Sequence, residues 1–240
     1  MAHYVCSDIH GRMDRYLKLL DTIALSENDT LFVLGDVIDR NPDGIEILKD
    51  LLARKNVELF LGNHEWFFYR SMSVDGDDDT AEPGMKRIWC SVNNGGAPTA
   101  RAFEALDTDE KRRILDAVWK SVLLRVVEVN GVRYHLSHSY TMKHRTKDVY
   151  RFCDVSADEA NDVVWKSAFR EGEYHVGFHE FDPALHYIVG HVPVQRVSGD
   201  YHILRREQVT DVDGGCAYSF LDGNCLACLR LEDQEEFYIR

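Results

Sequence analysis

The chain has 240 residues, 45% of them hydrophobic and 29% charged, with a formal net charge of −13. A chain of this length buries roughly 70–75% of its unfolded surface and needs no staples to hold a core, so it is expected to fold as a single domain over 1–240. The acidity speaks against nucleic acid as a partner, because phosphate contacts need a basic face, and the one modest basic run is Lys143-His144-Arg145 with Lys147 and Arg151.

Met1-Ala2-His3-Tyr4 leads into a strand without the pattern of a signal peptide. No apolar run nears the ~20 residues of a membrane span. A cytoplasmic protein with its six cysteines reduced is therefore expected, with no membrane partner. Tyr4-Val5-Cys6 runs into Ser7-Asp8-Ile9-His10-Gly11. Met13, Tyr16, Leu17, Leu20, Ile23 and Ala24 then recur at helical spacing and predict a helix over about 13–25. Leu31-Phe32-Val33-Leu34 reads as a buried strand ending in Gly35-Asp36-Val37-Ile38-Asp39-Arg40, followed by a helix near 43–55 with Ile45, Leu48, Leu51 and Leu52 on one face. Val57–Leu61 is a third strand, ending in Gly62-Asn63-His64-Glu65. This rhythm predicts βαβ units and a largely parallel half-sheet.

Residues of about 66–120 read as a polar, helical insertion. Its acidic run Val74-Asp75-Gly76-Asp77-Asp78-Asp79 is superficially a calcium loop, but Thr80 stands where the turn glycine belongs and Lys86 where the closing glutamate belongs. A solvated loop is the expected reading. Val122–Val129 and Val132–Leu136 around Asn130-Gly131 predict a hairpin. A helix near 157–169, a strand at His186–Val189 and short strands to the end follow, with Asp222-Gly223 read as a second hairpin turn. The expected fold is α/β: two mixed β-sheets packed face to face, flanked by helices, in four layers.

Asp8, His10, Asp36, Asn63, His138 and His191 each sit just past an apolar strand. Carboxylate and amide oxygens mixed with imidazole, and no thiolate, suit Mn²⁺, Fe or Zn²⁺. Asp36 is placed to bridge two ions about 3.5–4 Å apart. Three rival readings are weaker. Cys6 to Arg12 has the C-x₅-R spacing of cysteine-dependent phosphatases, but Asp8 would put a negative charge in the phosphate cradle. A purely structural metal site would have no use for Arg40, Asp39 and His64. Cys225-Leu226-Ala227-Cys228 has no second pair, and in a strand its two thiols face opposite sides.

Asp8-x-His10, Gly35-Asp36-x-x-Asp39-Arg40, Gly62-Asn63-His64-Glu65, His138 and Gly190-His191 resemble, in order and spacing, the calcineurin-like metallophosphoesterases. More narrowly they resemble the phage-lambda and bacterial type of serine/threonine protein phosphatase. Trp89, Asn94-Gly95-Gly96 and Thr99, and the closing Thr210-Asp211-Val212-Asp213-Gly214-Gly215, are similar to further family motifs. The resemblance implies a first metal on Asp8, His10 and Asp36 and a second on Asp36, Asn63, His138 and His191, with two divalent ions, Mn²⁺ foremost. It implies Arg40 and Asn63 as substrate contacts, and His64 as general acid with Asp39 holding its ring. Pro193, where broader relatives carry a second histidine, points to the protein-phosphatase branch.

The implied activity is hydrolysis of phosphate monoesters, as a serine/threonine protein phosphatase, by direct attack of a metal-bridging hydroxide. A dinucleoside polyphosphate hydrolase of the diadenosine tetraphosphatase kind, or a small-molecule phosphatase on the same metal centre, is the alternative. Two positions depart from the family pattern. Asn41 replaces a glycine after Arg40, which its tolerance of left-handed backbone would allow. Ser167 stands where an arginine is expected after Trp165, and Arg170, one helical turn on, is the expected replacement clamp.

Overall fold

The computed structural model describes residues 1–74, 81–82, 84–170, 173–174 and 181–240, with backbone alone at 170 and 173–174. Strands β1 (His3–Cys6), β2 (Thr30–Val33) and β3 (Val57–Leu59) run parallel, joined by helices α1 (Met13–Thr22) and α2 (Gly44–Ala53). Both helices are shorter than their apolar spacing predicts. Ala24 turns left-handed at φ 46° just after α1, and Arg54 is already extended after α2. Tyr16, Leu19, Ile45, Leu48 and Leu51 are buried as the helical period requires, whereas Leu17 and Leu52 face solvent.

Helices α3 (Asn63–Ser71), α4 (Met85–Trp89), α5 (Ala97–Glu104) and α6 (Thr108–Trp119) make up the helical stretch after β3. Most of the acidic run read as a solvated loop, 75–80, lies outside the described residues. The Asp107 carboxylate accepts the Glu110 N–H at 2.8 Å and starts α6. Strands β4 (Val122–Val129) and β5 (Val132–Ser137) form the expected hairpin. Asn130 and Gly131 both adopt positive φ, 51° and 78°, as a two-residue turn of this hand demands.

Strand β6 (Val149–Arg151) is followed by α7 (Ala157–Trp165), whose start is fixed by reciprocal Ser156 and Glu159 bonds. The expectation of helix to residue 169 is corrected here. The chain is extended by Lys166, the Ser167 hydroxyl accepts the Phe169 N–H at 3.1 Å, and β7 (Phe169–Arg170) pairs with β8 (Glu173–Tyr174). A hydroxyl that takes up a backbone N–H two residues on competes with helix propagation.

Strand β9 (His186–Val189), helix α8 (Val194–Ser198) and strands β10 (Leu204–Arg206), β11 (Val209–Asp211), β12 (Leu226–Arg230) and β13 (Glu236–Ile239) complete the chain. The hairpin of β12 and β13 turns at Gln234, φ 63°, so Asp222-Gly223 belongs to the loop before β12 and is not its turn.

The strands form a five-stranded sheet in the order β13-β12-β1-β2-β3 and a six-stranded sheet in the order β10-β11-β9-β5-β4-β6. Both are mixed, and in the first sheet β12 runs antiparallel to β1 and β13 antiparallel to β12. Period-two alternation divides the core. Val5, Phe32 and Leu229 of one sheet meet Val122, Leu136 and Ile188 of the other. Tyr4, Cys6, Leu31, Val33 and Cys228 point the other way, into the helices. Burial on both faces explains why these strands read as unbroken apolar runs. Cys225 and Cys228 fall into different clusters, on opposite faces of the sheet. Among the described residues no helix is long and apolar enough to cross a membrane.

Candidate metal centre and active site

The carboxyl ends of β1, β2 and β3 from one sheet, and of β5 and β9 from the other, open at one edge of the sandwich. The loops that leave them are zipped together. Asp8 N–H donates to Gly35 O at 3.2 Å, His10 N–H to Asp36 O at 2.9 Å and Gly190 N–H to His138 O at 2.7 Å. Asp8, His10, Asp36, Asp39, Arg40 and His191 all hold positive φ, between 48° and 79°. Each such non-glycine residue costs about 1–3 kcal/mol, a cost that clusters at functional sites. Gly62 is required for contact rather than conformation, since any Cβ there would collide with the Asp36 carboxylate.

The candidate ligand atoms converge. His138 Nδ1 donates to Leu34 O at 2.7 Å, which leaves Nε2 without a proton. That Nε2 lies 3.0 Å from Asn63 Oδ1, 3.2 Å from His191 Nδ1 and 3.6 Å from Asp36 Oδ1. Asn63 Oδ1 and His191 Nδ1 are themselves 2.9 Å apart. His10 repeats the arrangement: Nδ1 donates to Ile38 O at 2.9 Å, and its bare Nε2 stands 3.7 Å from both Asp8 Oδ1 and Asp36 Oδ2. The bare Nε2 atoms of His138 and His10 face amide and carboxylate oxygens, and such acceptors repel one another in a buried site unless a cation sits among them, so the donor chemistry fits two ions sharing Asp36.

The electrostatics agree. Burial first, then the Asp8 and Glu65 charges, push the Asp36 carboxyl well up. Burial, then His64 and Arg40, hold His10 well below the usual imidazole range, and burial does the same to His191. His10, Asp36 and His64 also have ligand atoms within 4.8 Å of one another. Both His64 nitrogens are engaged elsewhere, whereas Asp8 Oδ1 faces His10 directly, so Asp8 is the better third donor.

Beside this centre His64 Nδ1 donates to Asp39 Oδ2 at 2.6 Å, and Arg40 Nη2 donates to His64 Nε2 at 3.2 Å. Arginine has no acceptor, so Nε2 must be the unprotonated nitrogen. Burial, then the Arg40 charge, hold His64 well below its ordinary range, and burial pushes Asp39 up to about 7. Trp89 Nε1 donates to the same Asp39 oxygen at 2.6 Å, and the Thr99 hydroxyl accepts the Asp39 N–H at 2.9 Å. Gly95 O accepts the Arg40 N–H at 2.9 Å, and a Cβ on Gly96 would strike the Trp89 ring. The Trp89-to-Thr99 motif of the helical stretch thus holds Asp39 and Arg40.

Asn41 is not left-handed. Asp39 and Arg40 take the positive φ, and Asn41 instead donates from Nδ2 to His10 O at 2.8 Å. Cys6 is fully buried with its thiol pushed up, and its strand partner is Cys228, which removes it as a nucleophile. Arg170 ends β7 rather than a helix, and its side chain lies outside the described residues. Lys166 pairs with Asp162, Arg145 with Asp148 and Asp182, and Lys147 lies over the Tyr150 ring.

Sequence reasoning missed the part played by Glu65. Its buried carboxylate accepts N–H bonds from Gly62 (3.1 Å), Asp36 (2.7 Å), Val37 (2.9 Å) and Ile38 (3.3 Å), fixing the loop that carries Asp36. The signal available was an acid at the third position of a helix that starts at Asn63. Glu65→Ala is expected to destabilise the fold by about 3–5 kcal/mol by stranding buried donors. Urea unfolding in chelator checks this, and Glu65→Gln should cost less.

The family model for calcineurin-like phosphoesterases matches residues 1–214. The chain belongs to that family, an α/β sandwich whose members hydrolyse phosphoesters. Among curated proteins it is similar to symmetrical bis(5'-nucleosyl)-tetraphosphatases. It is 35% identical over 91 residues to that of Neisseria gonorrhoeae, covering 36% of this chain and 33% of the relative. It is 40% identical over 67 residues to that of Erwinia tasmaniensis, covering 27% and 24%. The matched segments thus span a third or less of those relatives. In fold it is similar to a chain provisionally assigned as a diadenosine tetraphosphatase, with TM-score 0.59, 16% identity, and 99% and 92% of the two chains covered. A serine/threonine phosphatase from Saccharomyces cerevisiae gives TM-score 0.57 at 15% identity, covering 97% and 73%.

Proposed function

We propose that this protein hydrolyses dinucleoside polyphosphates with two divalent cations, Mn²⁺ foremost, one on Asp8, His10 and Asp36 and the other on Asp36, Asn63, His138 and His191. The observation that carries hydrolysis is the convergence of unprotonated nitrogens and carboxylate oxygens on either side of Asp36. The substrate class is supported by the curated relatives, which are symmetrical bis(5'-nucleosyl)-tetraphosphatases. Bound there, two such cations supply an acidified water and neutralise phosphoryl charge.

The chain's own residues orient and protonate. Arg40 is a planar donor suited to forking onto phosphoryl oxygens. When a phosphoryl group draws Arg40 off His64 Nε2, that nitrogen loses a neighbouring cation and gains an anion, and both changes favour its protonation. Asp39 holds Nδ1–H throughout, so the proton that reaches the leaving oxygen comes from Nε2. Asn63 belongs to the second cation and to the phosphoryl group it binds. Arg170 is a candidate for a further phosphate contact from β7.

A serine/threonine phosphoprotein is the second reading. Pro193 in Gly190-His191-Val192-Pro193 favours it, and Ser167 in place of an arginine weakens it. Comparing kcat/KM for diadenosine tetraphosphate, a phosphoserine peptide and p-nitrophenyl phosphate at saturating Mn²⁺ tests the order. The dinucleotide should lead the peptide by at least about tenfold, the worth of one charge-assisted hydrogen bond. A peptide turned over faster than the dinucleotide would reverse the two readings.

A further inference from the structure

We infer that Arg196, Tyr218 and Phe220 form an outer subsite that takes the distal phosphate and base of a nucleoside polyphosphate whose proximal phosphate is at the metal centre. The inference rests on the phosphohydrolase reading above and adds a place for the part of the substrate that is not cleaved.

The residues form an unbroken path outward from the chemistry. His64 Nε2 accepts from Arg40, and the Arg40 guanidinium lies 4.6 Å from the centre of the Tyr218 ring. The Arg196 guanidinium lies 5.1 Å from the centre of that same ring. The two cations therefore stand no farther apart than those two distances together, a span that a chain of several phosphates bridges. Phe220 meets Tyr218 edge-on, with centroids 5.5 Å apart and planes at 71°.

The mounting is firm. The Val194 N–H at the start of α8 donates to Asp213 O at 3.0 Å, and Gln195 Nε2 donates to Gly214 O at 2.9 Å. The Tyr218 N–H donates to Gly215 O at 2.9 Å, so the segments that carry Arg196 and Tyr218 hold to one turn.

The chemistry of the three side chains differs and is complementary. A guanidinium recognises phosphate oxygens bidentately, and a second one beyond Arg40 suits a substrate with a second anion. Tyr218 already has cations against its ring, whereas Phe220 is 72% exposed. It is the sole aromatic among the exposed large hydrophobics of the described residues. An open aromatic beside phosphate-binding cations is the arrangement on which a nucleobase stacks.

The test compares Arg196→Gln and Phe220→Ala with the parent at saturating Mn²⁺, on diadenosine tetraphosphate and on p-nitrophenyl phosphate, which reaches the metal centre alone. Both side chains are exposed, and thermal melting of each variant verifies the fold. The ratio of kcat/KM for the dinucleotide to that for the small ester should fall about 10- to 150-fold in Arg196→Gln. It should fall about 5- to 150-fold in Phe220→Ala. A parent that prefers the dinucleotide, with both variants within twofold of its ratio, overturns the subsite and leaves the hydrolase reading standing. A parent with no preference for the dinucleotide overturns the substrate reading and the subsite with it. An equal fall for a phosphoserine peptide overturns the assignment to nucleotides, since it marks a surface for any extended anion.

Discussion

Asp36→Asn is expected to empty both metal positions at once. Its two oxygens face different groups, Oδ1 towards His138 Nε2 at 3.6 Å and Oδ2 towards His10 Nε2 at 3.7 Å. Oδ1 also accepts the His64 N–H at 3.0 Å, so the substitution disturbs the loop as well as the charge. An amide presents one oxygen and a neutral nitrogen whose protons repel a cation, so a bridge between two ions is lost whichever way it turns. The loss in metal affinity should exceed the roughly 10- to 100-fold that removing an outer-sphere partner costs. Metal content after gel filtration, measured beside activity, is the readout. Two ions retained per chain in Asp36→Asn, with most of the parent's turnover, would show that no ion is shared there.

The second large effect is expected at His64. His64→Asn should keep its metals and lose about 10²–10⁴-fold in kcat on alkyl phosphates, whose leaving oxygen needs a proton. On p-nitrophenyl phosphate the loss should be much smaller, because that leaving group departs as a stable anion. The geometry sharpens the expectation. In the structure His64 Nε2 accepts from Arg40 and carries no proton, and burial together with the Arg40 charge keeps the ring neutral. Protonation of Nε2 thus depends on the phosphoryl group arriving and taking Arg40 with it. An equal loss on both ester types would remove His64 as the proton donor and leave it a role in placing Asp39 and Arg40.

Trp89 shows how far a side chain can act from its place in the sequence. It follows Asp39 by 50 positions, yet its indole N–H ends on the carboxylate that orients His64. Glu65 likewise reaches back 29 positions to hold the backbone of the Asp36 loop. Neither role is written in local periodicity, because a hydrogen bond across that separation exists only once the helices have packed. Arg196 and Tyr218 meet at one ring for the same reason, through a turn that joins α8 to the segment before β12.

Local sequence suffices for the strands and for the side chains at their ends. Short apolar runs ending in Asp8, Asp36, Asn63, His138 and His191 are local statements, and parallel strands bring their carboxyl ends to one edge without further instruction. Periodicity likewise placed α1, α2 and the β4–β5 hairpin, but not the ends of α1 and α7, set by residues such as Ala24 and Ser167, nor the exposure of Leu17 and Leu52. Tertiary structure alone decided which lone pairs face one another, which nitrogen of His64 is bare, and what stands behind Arg40. Those depend on distances of a few tenths of an ångström between loops of different sheets. Such distances are set when two sheets close on a shared core of Val5, Phe32, Leu136 and Ile188, because close-packed interiors leave the loops above them one arrangement.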